Sequence, residues 1–198
     1  MEAIISGELA PGERIVETRW AKELGVSQSP IREAIRELEM VGMVENIPYK
    51  GCIVRKVTLK DIIDTYSVRI ALESMVAEDI MSGNTAELLL EMQDSLDEMI
   101  ACAKNDDIRG FTDSDVKFHE AFVQRSQNEL LKRLWQQCYI RDNTRISTIF
   151  SNFSMIELAE RHKHICDAIR AKDAERFKEE ISIHFTILID SLSEMEEE

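Results

Sequence analysis

The chain has 198 residues, with 24 Lys and Arg against 38 Asp and Glu, a formal net charge of −14. At 44% hydrophobic and 31% charged residues it is neither disordered nor membranous by composition, and no run approaches the ~18 apolar residues of a membrane span. Its bulk acidity argues against non-specific coating of nucleic acid. The acid is unevenly placed: residues 1–57 hold 8 Lys/Arg and 9 Glu, net −1, whereas residues 58–198 carry net −13. All 3 prolines and five of the 7 glycines lie within the first 51 residues, and all 4 histidines follow residue 118. Pro and Gly punctuate turns, so a boundary near residue 57 separates short elements from long ones. The cysteines (Cys52, Cys102, Cys138, Cys166) have no zinc-knuckle spacing and read as core residues of a reduced, cytoplasmic protein.

In residues 1–57 the pattern predicts a first helix ending at Gly7, a Pro11-Gly12 turn, and a second helix over 15–24 stopped at Gly25. Ser27 then caps a third helix, with Pro30 tolerated in its first turn. Residues 44–47 and 52–57 are β runs joined through Pro48, Tyr49, Lys50 and Gly51. The expectation is a winged helix-turn-helix with a small β wing. Residues 58–198 read as helical throughout. A capping-box-like start at Thr58 and Asp61 leads into the stripe Ile62, Tyr66, Ile70, Val76 and Ile80. A second helix follows Asn84, a third starts near Asp113, and Asn128 caps a fourth running through Trp135 and Cys138 to Ile146. A fifth follows Ser154 and a sixth opens at Asp173. The fold class is therefore mainly α, the wing unit followed by an antiparallel helical bundle with six amphipathic segments.

A recognition helix offers its N-terminal residues to base edges, and its free N–H groups favour phosphate. Ser27, Gln28, Ser29 and Arg32 occupy that first turn of the third helix. Gln pairs bidentately with adenine, and Arg with guanine or a phosphate. Lys50 and Arg55 on the hairpin are placed for backbone or minor groove. The competing reading is a packing module whose Arg32 is a solvated charge. The run from Ser6 to Ile15 (SGELAPGERI), followed by Leu24 to Ile35 (LGVSQSPIREAI), closely resembles the GntR family of bacterial transcription regulators. The resemblance implies a winged helix-turn-helix that binds pseudo-palindromic operator DNA as a homodimer, with Arg32 as principal contact. Many relatives carry Arg at the position of Gln28, which implies a different base preference here. Relatives usually have further residues ahead of the counterpart of Met1, so a clipped first helix and a less stable DNA-binding unit are expected.

Asp115 and His119 are four apart and share a helix face, His162 sits on the stripe Leu158, Ile165, Ile169, and His184 on the stripe Ile181, Leu188. Three imidazoles on inward faces of three helices need a shared partner, because each unpaired buried polar group costs roughly 2–7 kcal/mol on transfer scales. Separate backbone hydrogen bonds are the competing account. His164 lies about 200° around its helix from His162 and is assigned to the surface. One carboxylate and three imidazoles suit Zn²⁺, Ni²⁺ or Mn²⁺, while Ca²⁺ and Mg²⁺ want more oxygen. The same pattern, with Ile165 to Ile169 (ICDAI), looks like the FCD effector domain of the FadR-type branch of GntR regulators. That resemblance implies a divalent metal whose open positions meet a small carboxylate effector.

Arg69 and Glu73 are four apart among apolar neighbours. They form either an intrahelical ion pair or a clamp in which Glu73 holds Arg69 against the effector carboxylate. Asn143, on the Tyr139 and Ile146 face, is a second effector-binding candidate. The reading is a ligand-responsive repressor that dimerises through residues 58–198 and is not an enzyme, with a hinge near residues 57–60. Alternatives from the same ligands are a metal-dependent hydrolase and a direct metal sensor.

Overall fold

The computed structural model describes residues 2–5, 8–40, 43–56, 58–138 and 140–196, in two units, Met1–Thr58 and Leu59–Glu198. Gly7, Gly42, Tyr139 and Val57 of the expected hinge lie outside the described residues.

The first unit contains α1 (Glu2–Ile5), α2 (Glu17–Leu24), α3 (Gln28–Met40), β1 (Val44–Ile47) and β2 (Gly51–Val54). Gly25 ends α2 in the left-handed region, φ 67°, and donates its N–H to Ala21; without a Cβ it adopts that conformation at little cost and lets the chain turn into α3. The two strands pair antiparallel, with Val44 opposite Val54 and Ile47 opposite Gly51. Two boundaries differ from the sequence reading. The second helix starts at Glu17, because Ile15 N–H donates to Cys52 and Val54 N–H to Glu13, laying residues 13–15 along the wing. The second strand stops at Val54, because its partner strand begins at Val44. Leu9, Ile15, Leu38, Val44 and Val54 form the core of this unit.

The second unit contains α4 (Leu59–Ser74), α5 (Ala77–Ser82), α6 (Thr85–Lys104), α7 (Ile108–Val123), α8 (Glu129–Gln136), α9 (Ile140–Phe150), α10 (Met155–Arg170) and α11 (Ala174–Glu196). Local chemistry accounts for many starts. The side chains of Asn84, Asp107 and Asn128 accept first-turn N–H groups of α6, α7 and α8, and Ser154 with Glu157 forms a capping box on α10. Three expectations are corrected. The first long helix breaks after Ser74, where Val76 and Ala77 turn into the core at 0% exposure. The helix expected from Asn128 to Ile146 divides between α8 and α9, and Asn143 Nδ2 donates to the Cys138 carbonyl at the break. The helix expected near Asp113 begins instead at Ile108, under the Asp107 cap. The described residues therefore make eight helices where six were expected. Phe111, Phe118, Phe122, Phe177 and Phe185 are all buried in the core, where α7 and α11 face each other across the polar cluster described next.

Candidate metal centre and nucleic-acid interface

The inward stripes of α7, α10 and α11 bring four side chains together. Asp115, His119, His162 and His184 are all buried, and one ligating atom from each lies within 4.8 Å of the others. The imidazole centroids of His162 and His184 are 4.5 Å apart, and His119 is 5.3 and 5.1 Å from them. His164 is exposed, as expected.

The far sides of His119 and His162 are held by the protein. Glu73 on α4 accepts Arg69 Nε at 2.8 Å, Trp135 Nε1 at 2.8 Å and His119 Nδ1 at 2.7 Å. Burial alone pushes the Glu73 carboxyl up, but the Arg69 charge and then His119 outweigh it and hold the group at about 2. An anionic Glu73 accepts, so the His119 proton sits on Nδ1 and the lone pair on Nε2. His162 Nδ1 points at the carbonyls of Leu158 and Ala159, 3.0 and 3.2 Å away, which fixes the same tautomer. Burial lowers the His119 pKa. Burial followed by the charges of His162 and His119 lowers that of His184 further. For Asp115, burial is outweighed by the close contact of the His162 ring and then by His119 and Arg69, and its carboxyl is held below the usual carboxylate range. Imidazoles held neutral at His119 and His184 beside an ionised Asp115 are protonation states that a cation requires.

The buried polar atoms with no hydrogen-bond partner include His119 Nε2, His162 Nε2, His184 Nδ1 and Arg69 Nη2. His162 Nε2 lies 3.2 Å from Asp115 Oδ1 but without the alignment of a hydrogen bond. Each orphaned buried group costs about 1–3 kcal/mol, and the three imidazole orphans belong to residues of the one cluster. A zinc-class ion satisfies the three imidazole nitrogens at once. With bonds of ~2.1 Å, two ligands of one tetrahedral ion are about 3.4 Å apart, so closure from separations of up to 4.8 Å takes side-chain shifts of up to about 1 Å. The donor set fits such an ion.

Beside the cluster is a cavity of about 20 Å³, lined in part by Tyr66, Arg69, Thr144, Ser147 and Thr148. Arg69 makes the ion pair with Glu73 and also lines this cavity, its guanidinium 4.5 Å above the Phe185 ring. Asn143 is buried but outside the cavity lining, its Nδ2 donating to Thr65 Oγ1 and the Cys138 carbonyl, both at 3.1 Å. It therefore bridges α4 and the α8–α9 break. Tyr66, Trp135, Thr144 and Ser147 were missed as site residues, and Glu73 was foreseen only as the partner of Arg69, not of His119 and Trp135. Only the i, i+3 and i, i+4 spacing of Thr144, Ser147 and Thr148 offered a signal.

In the first unit Ser27, Gln28, Ser29, Arg32, Lys50 and Arg55 are all exposed. Arg32 Nε is 2.7 Å from Glu17 Oε2, and Arg32 Nη2 is 3.4 Å from Gln28 Oε1. Glu17 joins α2 to the reading turn, a link the sequence did not reveal. Gly51 at the wing tip has φ 81°, and a Cβ there would come to 3.3 Å from Arg14 Nε, so this turn favours glycine.

Two family profiles cover the chain: "Bacterial regulatory proteins, gntR family" over residues 1–54 and "FCD domain" over residues 64–186. A protein of Paenarthrobacter nicotinovorans described as "Probable D-xylose utilization operon transcriptional repressor" is 32% identical over 181 residues, spanning 91% of this chain and 80% of that one. The fold matches the solved structure of E. coli McbR/YncC with a TM-score of 0.78 at 22% identity, covering 98% of this chain and 93% of that one. It also matches the Zn²⁺-bound FCD domain of TM0439, with a TM-score of 0.53 at 21% identity over 72% of this chain and 99% of that one. Among the described residues no helix is long and apolar enough to cross a membrane.

Proposed function

The chain belongs to the GntR family of bacterial regulatory proteins and carries an FCD domain, and from that premise we propose that it is a DNA-binding repressor whose operator affinity is set at a divalent metal centre. Asp115, His119, His162 and His184 hold the ion, with zinc the first choice and Ni²⁺ or Mn²⁺ the others. The observation that carries the reading is the convergence of orphaned, buried nitrogens from His119, His162 and His184 on one carboxylate. The ion supplies positive charge for a small organic acid, and the unpaired Nη2 of Arg69 supplies a second contact for its carboxylate. Arg32, Gln28, Ser27 and Ser29 read bases or phosphates, with Lys50 and Arg55 on the wing side. Two copies of the chain pair through the helical unit and read a pseudo-palindrome. The effector shifts operator affinity only by favouring one arrangement of the dimer over another.

The test begins with operator selection from a random DNA pool. Affinity of the full chain for the selected site is then measured chelated, zinc-loaded, and zinc-loaded with a panel of organic acids. The expected result is a pseudo-palindromic site and at least one acid that changes the Kd by about 5–150-fold, the usual range of allosteric coupling. The same Kd in every state overturns the reading.

One observation favours a second reading. A cavity of about 20 Å³ holds an ion with a water or two but no organic acid unless it opens. Direct metal sensing fits that volume. It predicts that chelation alone changes operator affinity while every acid leaves it unchanged.

A further inference from the structure

Asp115 is the lone carboxylate of the four-residue cluster, and its two oxygens have different surroundings. Oδ1 faces His162 Nε2 at 3.2 Å. Oδ2 accepts the hydroxyl of Thr144 at 3.2 Å. Thr144 is buried on α9, an element that contributes no ligand to the cluster. Its polar neighbours on the same face do other things. Thr148 Oγ1 donates to the Thr144 carbonyl at 2.7 Å, and Ser147 Oγ donates to the same carbonyl at 3.0 Å while bonding the Tyr66 hydroxyl.

We propose that Thr144 is the positioning residue of the metal centre, its hydroxyl holding Asp115 Oδ2 so that Oδ1 turns toward the imidazoles, and that this bond ties α9 to the ion. The inference rests on the metal reading above. A carboxylate that has lost one partner is free to rotate about its last torsion, and its outer oxygen, buried without a donor, competes to turn away. Both effects draw on metal affinity, and outer-shell partners of this kind are worth about 10–100-fold in binding. Coupling between sites is reciprocal, so an ion that fixes Asp115 also fixes α9 through Thr144.

The experiment titrates zinc into the full chain against a chromophoric chelator. Thr144→Val keeps the shape and removes the donor, and is expected to raise the Kd about 10–100-fold. Thr144→Ser restores the donor and is expected to stay within about threefold of the parent, well inside that outer-shell effect. Ser147→Ala loosens another tether of α9, its bond to Tyr66, without touching Asp115, and its Kd is likewise expected to hold. Should circular dichroism show Thr144→Val unfolded, Thr144→Ala carries the same expectation. Hydrogen exchange adds a second readout: zinc slows the amides of residues 143–149 in the parent and does so less in Thr144→Val. A parental Kd in Thr144→Val, or a loss in Ser147→Ala equal to that in Thr144→Val, overturns the inference and leaves the metal site standing. A parent chain that binds no zinc overturns both.

Discussion

Arg32 in the DNA-reading unit and Arg69 in the helical unit each donate Nε to a glutamate, at 2.7 and 2.8 Å, yet the Arg32 side chain is 59% exposed and the Arg69 side chain 1%. An exposed pair is worth about 0–1 kcal/mol because water competes for both charges. Glu17 therefore orders Arg32 at little cost, and under the proposed DNA contact would still release it to a base edge or a phosphate. Arg69 and Glu73 have no water to fall back on, and separating them strands a charge in the core. The first pair suits a surface that meets many DNA sequences before the right one. The second suits a fixed frame behind a ligand.

The largest effect that sharpens this contrast is expected from Glu73→Gln, which leaves Arg69 uncompensated and weakens the acceptor for His119 Nδ1. Denaturant unfolding of the metal-free chain should show a loss of about 3–5 kcal/mol. Next is metal loading itself. Zinc at 1,000 times its Kd should stabilise the parent by about 4 kcal/mol and should leave His162→Ala unmoved at the same concentration, read by thermal melting. Arg32→Ala should weaken operator binding by about 1–3 kcal/mol and relax base preference at one position of each half-site, read by anisotropy on selected and mutated sites. The smallest effect is expected from Glu17→Gln, about 0–1 kcal/mol in stability. A loss there as large as that of Glu73→Gln would erase the distinction between the two pairs.

The four clustered residues were legible because each lies on the apolar stripe of one of three helices, and a 3.6-residue period assigns a face without knowing the neighbour. The wing was legible from Pro48, Tyr49, Lys50 and Gly51 between two β-rich runs. What was missed depends on contacts distant in sequence. Glu73 meets His119 46 residues away and Trp135 62 residues away, and no local spacing encodes either. Val76 hid the end of α4 because it continues the apolar stripe while belonging to the next helix. Ile15 reads as the first apolar residue of a helix, but its N–H is spent on Cys52 across the wing. Asn143 is buried, as its stripe implies, but its partners Thr65 and Cys138 were not foreseen, because burial follows from periodicity and they do not.

Anomalous diffraction from crystals of the zinc-loaded full chain, recorded on both sides of the zinc absorption edge, tests the central claim most directly. The account predicts one strong peak, about 2.0–2.2 Å from a carboxylate oxygen of Asp115 and from one ring nitrogen each of His119, His162 and His184. Zinc confined to surface carboxylates, with the three imidazoles unligated, would contradict it.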